Sequence, residues 1–245
     1  MTQMLTPPYT EASALATVLR TAGHAAVSPA GLCELVDVPL EALQALAPSW
    51  DDLPPDGYLR DGGRYRRRRH SCFVVEGGVL TQAPHRAHWQ PVEYNALHGG
   101  LERWFEPMTP TVVQSPAWKR LLQGLAGVCS AVKGERPWYV EAHQFRIDTT
   151  DGIGRPTPEG AHRDGVDLVA VILVQRIGIK GGETRVFEAE GPSGIRFTMT
   201  GPWTLVMLDD ERVIHESTPI QPMEEGGHRD TLVLTFRAGG FQGPA

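Results

Sequence analysis

The apolar positions change their period about a quarter of the way along the chain. In EASALATVLRTAG, residues 11–23, Leu15, Val18 and Leu19 recur at helical spacing and a glycine closes the run. SPAGLCELV and PLEALQALA read as two more short helices, with Ser28 and Pro39 suited to their starts. Residues 1–60 are therefore expected to form a helical cap, ending in the proline- and glycine-rich connector SWDDLPPDGYLRDGG. From residue 61 to 245 the texture is that of strands. RYRRRRHSCFVVEGGVLTQ reads as two strands about the turn Gly77-Gly78. Residues 115–132 interrupt with an amphipathic helix that Ser115 and Pro116 can start. Strands are then expected at 138–147, 166–176, 183–188, 195–199, 203–208 and 230–237. They do not alternate with helices, which argues against a parallel βαβ sheet. The pattern predicts a mainly β fold with flanking helices, a barrel or sandwich, as one domain in which the cap packs on the core.

Composition narrows the class. The 245 residues are 41% apolar, enough for a large core, and the 27 glycines and 20 prolines favour many turns. A net charge of −6 gives no support to nucleic-acid binding. The longest apolar stretches are of strand length and broken by charge, so no membrane span is expected. The start MTQMLTPPYTEAS lacks the basic opening and apolar core of a signal peptide, and the three scattered cysteines read as reduced thiols, which together predict a cytoplasmic protein.

The candidate chemistry begins at AHRDGVDL, residues 161–168. On an extended strand, residues i and i+2 point to one side, so His162 and Asp164 can share a metal ion. His215, in the short extended segment RVIHEST, can supply a third ligand if its strand neighbours theirs. Two imidazoles and one carboxylate on one face leave three positions of an octahedral ion open, as in the facial triad of non-haem Fe(II) oxygenases. If a 2-oxo acid occupies open positions, its far carboxylate needs a partner inside the barrel, and a guanidinium can bind it through two parallel hydrogen bonds. Arg229, Thr231, Val233, Thr235 and Arg237 share one face of the last strand, so Arg229 and Arg237 are rivals for that role, with Thr231 or Thr235 as a hydroxyl donor.

The motifs H-R-D-G at 162–165, G-G-E-T at 181–184, the distal His215 and H-R-D-x-L-V-x-T-F at 228–236 together resemble the bacterial 2-oxoglutarate/Fe(II) dioxygenase family that includes the free L-isoleucine hydroxylases. The upstream stretches Arg64–Arg69, His98–Pro107 and His143–Arg146 resemble it too, so the likeness covers roughly residues 64–237 and fits the first sixty residues less clearly. The resemblance implies a double-stranded β-helix (a jelly-roll, cupin-like core), iron on His162, Asp164 and His215, and 2-oxoglutarate on Arg229. It implies Fe(II), 2-oxoglutarate and O2 as the working set and a small polar substrate, foremost a free L-amino acid or close derivative. Halogenating relatives in the wider superfamily lack the carboxylate; Asp164 is present here, which favours hydroxylation. Desaturation or cyclisation with the same cofactors, and a non-catalytic metal- or ligand-binding barrel, are the alternatives.

The remaining candidates carry less. On strand 138–147 either His143 or Gln144 must face inward; apolar residues occur on both faces, and Gln144 is taken as the cofactor or substrate contact, with Thr184 as another. Of Arg66 to Arg69, at most two can reach a pocket. Glu102, Arg103, Arg66 and Arg146 are possible partners for a zwitterion. His85 and His88, after a proline in a loop-like context, are not expected to bind metal. Asp151-Gly152-Ile153-Gly154 runs into prolines rather than a helix, so it is read as a lid beside the metal, not a dinucleotide loop.

Overall fold

The computed structural model describes residues 5–95 and 97–244. The strands are β1 (His24–Val27), β2 (Arg66–Glu76), β3 (Val79–Gln82), β4 (Trp138–Asp148), β5 (Leu168–Ile177), β6 (Ile179–Gly181), β7 (Thr184–Glu188), β8 (Gly194–Phe197), β9 (Leu205–Asp209), β10 (Val213–Ser217), β11 (Ile220–Pro222) and β12 (His228–Arg237). The helices are α1 (Leu15–Ala22), α2 (Pro29–Val36), α3 (Leu40–Gln44), α4 (Pro110–Val113) and α5 (Pro116–Lys133). Seven strands form one antiparallel sheet in the order β1-β9-β5-β12-β4-β2-β3. The shorter sheets β10-β7-β8 and β11-β6 complete the jelly-roll core.

Alternation along the strands divides the interior in two. Ala142 of β4, Ala170 and Ile172 of β5, Met207 of β9 and Leu234 and Phe236 of β12 point to the helical side, where they pack with Leu32, Trp118, Leu122 and Leu125. The intervening residues point into the jelly roll: Val169 and Leu173 of β5 and Val206 and Leu208 of β9 meet Val186 and Phe197 of the small sheet. The period-2 pattern thus decides which side chains support the core and which face the space between sheets.

The predicted helices α1 to α3 form, and Ser28 accepts a hydrogen bond from Gly31 N at 3.1 Å as the cap of α2. Ser115 sits at the start of α5 without such a bond. The first sixty residues are more than a helical cap, however. Gly23, with φ +76°, stops α1, and HAAV then pairs with β9 as the edge strand of the large sheet. The connector is also bound to the core, since Trp50 Nε1 donates to Thr231 O at 3.2 Å. Among the described residues no helix is long and apolar enough to cross a membrane.

Candidate metal centre and cavity

His162, Asp164 and His215 come together at the mouth of the jelly roll. His215 is on β10, and its backbone exchanges hydrogen bonds with His162 in both directions, at 3.0 and 2.9 Å. This isolated bridge brings the two strand-like segments side by side. Asp164 Oδ1 lies 3.8 Å from His162 Nε2 and its Oδ2 lies 3.7 Å from His215 Nε2. One atom from each residue falls within 4.8 Å of the other two, a spacing a single metal ion can satisfy. His162 Nδ1 is 3.0 Å from Gly160 O, so that nitrogen carries the proton and Nε2 keeps its lone pair for a ligand. The donor set, two imidazoles and one carboxylate, suits a ferrous ion with open positions.

Asp164 is held from two sides. Asp210 accepts from Asp164 N at 2.9 Å, Gly165 N at 2.7 Å and Val166 N at 3.1 Å, which pins the turn carrying the ligand. Gly165 has φ +75°, and a Cβ there would lie 2.5 Å from the Tyr94 ring, so the turn requires glycine. Gln90 donates to Asp164 Oδ1 at 3.0 Å, while its own Oε1 accepts from Asn95 at 3.1 Å and from Arg103 at 2.9 Å.

The triad opens into a cavity between the sheets. Its floor is the inward face of the large sheet, with Arg66 and Arg68 from β2, His143, Phe145 and Ile147 from β4, and Arg229, Thr231, Val233 and Thr235 from β12. Pro156, Thr157 and Glu159 cover it from the 151–160 segment, and His88, Gln90, Asn95, His98 and Arg103 close a side. Arg229 is 3% exposed and its Nη2 is buried without a partner, an anion-seeking group inside the barrel. Burial, and then the nearby Arg176, lower its pKa to about 10, which still leaves it charged at neutral pH.

On β2, across Ile147 of β4 from Arg229, Arg66 Nε donates to Asp56 at 2.7 Å and Arg68 lies 3.8 Å from the same carboxylate. Arg68 also stacks over Phe105 and Phe145, at 3.8 and 4.4 Å. Arg66 Nη2, Arg68 Nε and Arg103 Nε are buried without partners, as is Glu159 Oε2.

Several sequence expectations change here. Gln144 does not reach the cavity. It lies on the helical side of β4, where Nε2 donates to Ser49 at 2.7 Å, and His143 takes the inward position. Arg146 shares that outer face, bound to Asp230 at 2.7 Å and Asp51 at 2.9 Å. Thr184 is buried but does not line the cavity, and Glu102 is exposed. Arg237 donates to Gly240 O at 2.7 Å and does not line the cavity either, so of the two rivals on β12 only Arg229 faces it. Of the basic run only Arg66 and Arg68 face inward.

The sequence reading missed Gln90, Glu159, Asp210 and the neighbourhood of Glu141. That buried carboxylate accepts from His70 Nε2 at 2.9 Å and His88 Nδ1 at 2.7 Å. Burial opposes its ionisation, but the His88 and His70 imidazoles beside it hold its pKa well below the usual carboxylate range.

A jelly roll with two histidines and an aspartate at its mouth defines the class of non-haem iron oxygenases. The 2OG-Fe dioxygenase family model matches residues 47–235, and the chain belongs to that family. It is therefore an enzyme that uses Fe(II), 2-oxoglutarate and O2. A crystal structure of a bsmA homolog from Methylobium petroleophilum PM1 is 51% identical, with TM-score 0.92 over 97% of each chain. The IDO structure from Bacillus thuringiensis shares the fold at 15% identity, with TM-score 0.75 over 97% of this chain and 100% of its own. The Fe(II)/α-ketoglutarate-dependent dioxygenase TqaL does so at 18% identity, with TM-score 0.71 over 93% and 87%. No curated protein matches the sequence.

Proposed function

We propose that the protein hydroxylates an aliphatic C–H of a free L-amino acid or close derivative, inside the cytoplasm, with His162, Asp164 and His215 holding the iron. The observation that carries this reading is the set of unsatisfied polar groups around one cavity: Arg229 on β12, and Arg66, Arg103 and Glu159. Arg229 pairs with the distal carboxylate of 2-oxoglutarate, assisted by the Thr231 hydroxyl. When bound, iron and 2-oxoglutarate supply the oxidant: O2 gives one oxygen atom to succinate and the other to the product as hydroxyl, with loss of CO2.

The chain's own residues hold and orient. Besides Asp164, the cavity lining holds the guanidinium groups of Arg66, Arg68 and Arg103 and the carboxylate of Glu159, with Asp56 paired to Arg66 behind them. Unpartnered groups of both signs, on Arg66 and Arg103 and on Glu159, favour a zwitterion. The free nitrogens of Arg66 and Arg103 take the substrate carboxylate and Glu159 takes its ammonium, both as charge-assisted hydrogen bonds. Because Glu159 Oε1 lies only 3.6 Å from His162 Nε2, a substrate gripped there sits beside the metal. Val171, Val233 and Phe145 provide the apolar wall for its carbon chain.

The test is succinate release from 2-oxoglutarate with Fe(II) and ascorbate across the free amino acids. Stimulation by one or more of them, with a product heavier by one oxygen, is expected. No stimulation by any would sink the amino-acid reading. Arg229→Ala should raise the KM for 2-oxoglutarate by about 100-fold, the worth of a buried charge-assisted pair; an unchanged KM would remove Arg229 from that role.

A further inference from the structure

The imidazoles around Glu141 have their proton positions fixed by their partners. A carboxylate only accepts and a guanidinium only donates. His88 Nδ1 lies 2.7 Å from Glu141 Oε2 and so carries the proton, which leaves the lone pair on Nε2. His143 Nδ1 lies 2.6 Å from Arg68 Nη2 and so must accept, which puts its proton on Nε2. His88 and His143 both line the cavity, their rings packed edge to face with centroids 4.7 Å apart. Among the described residues neither Nε2 has a hydrogen-bond partner; the bonds of the two rings run through Nδ1. The cavity wall therefore offers an acceptor and a donor side by side.

From this we infer that His88 and His143 form a recognition site for a neutral group that both donates and accepts, a hydroxyl or a carboxamide on the side chain of the substrate. An ionic headgroup is matched by the full charges of Arg66, Arg103 and Glu159; neutral imidazoles match a neutral group. Burial lowers the pKa of both rings, His88 to about 4, so both are uncharged at neutral pH and the donor–acceptor pattern holds there. A purely aliphatic side chain would leave Nε2 of His88 and Nε2–H of His143 desolvated and unpaired, a penalty that sites built for hydrogen bonds use to reject apolar analogues.

The inference rests on the amino-acid reading above, and two measurements separate their fates. The first needs no substrate. Long-range 1H–15N correlation spectra of the imidazoles should show His88 protonated at Nδ1 and His143 at Nε2, assigned with His88→Leu and His143→Leu. The opposite tautomer at either ring, or a charged ring at pH 7, would overturn the inference.

The second is kcat/KM on the parent enzyme for leucine, isoleucine and valine against serine, threonine and homoserine, and against asparagine and glutamine. One of the two polar groups should exceed the aliphatic group by about 100-fold or more, and which of them does so tells hydroxyl from carboxamide. His88→Leu should lower kcat/KM for the favoured amino acid by about 10- to 100-fold and so narrow its lead over the aliphatic group; an unchanged lead would remove His88 from recognition. Turnover of aliphatic amino acids alone would refute this inference and keep the hydroxylase reading. Turnover of none would fail the hydroxylase reading, and the spectra would still decide the tautomers.

Discussion

Two groups of histidines and carboxylates have nearly the same composition, and His88 of the second lines the cavity that the first opens into, but their spacings differ. In the first, His162, Asp164 and His215, the nearest imidazole–carboxylate distances are 3.8 and 3.7 Å. These are too long for an N–H···O bond and within reach of one ion lying ~2.1 Å from each ligand. In the second, His70 and His88 approach Glu141 at 2.9 and 2.7 Å, ordinary hydrogen-bond lengths. In the first group one ligand atom from each residue converges on a common centre. In the second, a proton already sits between each ring and the carboxylate. Residue type therefore does not distinguish a chelate from a proton-bearing network; the location of the protons does.

The largest expected effect tests that contrast directly. Asp164→Ala should lose iron and lower 2-oxoglutarate turnover by more than about 100-fold, since removing a ligand exceeds the ~10- to 100-fold worth of groups that merely orient one. Glu141→Gln should keep the parent's iron content by colorimetric assay. Iron loss of equal size in both variants would mean that the second group also binds the metal.

Asp210 comes next. Its carboxylate takes three backbone N–H groups in the turn that carries Asp164. In Asp210→Asn one oxygen becomes an NH2 facing those donors. Iron affinity should weaken by about 10- to 100-fold with the fold retained, measured by competition with a chelator. Unchanged affinity would show that the turn is held by Gly165 and Gln90 alone.

A pH experiment then addresses the second group. His70, His88 and His143 are all shifted downward, and burial is the largest cause for each. The unfolded chain takes up these protons near pH 6.5, whereas folded His88 resists protonation down to about pH 4. Stability from this group is thus complete above about pH 6.5 and declines as the pH falls towards 4. His88 alone accounts for a decline on the order of 3 kcal/mol. Urea midpoints from pH 7 to 4 should fall less steeply in His88→Leu than in the parent. Parallel curves would show that the ring is protonated, or free to be, in the folded protein.

How far the sequence reached follows from the same distinction. The triad was legible because an i, i+2 pair of ligands on an extended segment is a local pattern, with one distant histidine left to find. The large sheet was legible because its long apolar runs are separated by turns with glycine, proline or paired charges; β1 was not, since four residues of HAAV carry too little periodicity to compete with the helices around them. The Glu141 group draws on β2, β4 and the loop holding His88, so it exists only through strand register, His70 opposite His143 and Cys72 opposite Glu141. Nothing within any one segment announces it. Gln90 and Glu159, from loops, were hidden for the same reason.

The inward face of β4 is the place where this limit misled, and it gives the smallest effect. Trp138, Val140 and Ala142 share one face, Tyr139 and Phe145 the other, so the pattern could not choose between His143 and Gln144. Register decides it: Gln144 lies opposite Leu232, on the helical side, and His143 opposite Val233, which lines the cavity. Gln144 loses its bond to Ser49 on replacement, but its Oε1 is already buried without a partner, so the two terms nearly cancel. Gln144→Leu should change stability by no more than about 1 kcal/mol and the KM for 2-oxoglutarate by less than about twofold. A tenfold rise in that KM would return Gln144 to the co-substrate and reverse the two faces of β4, and with them the inward placement of His143.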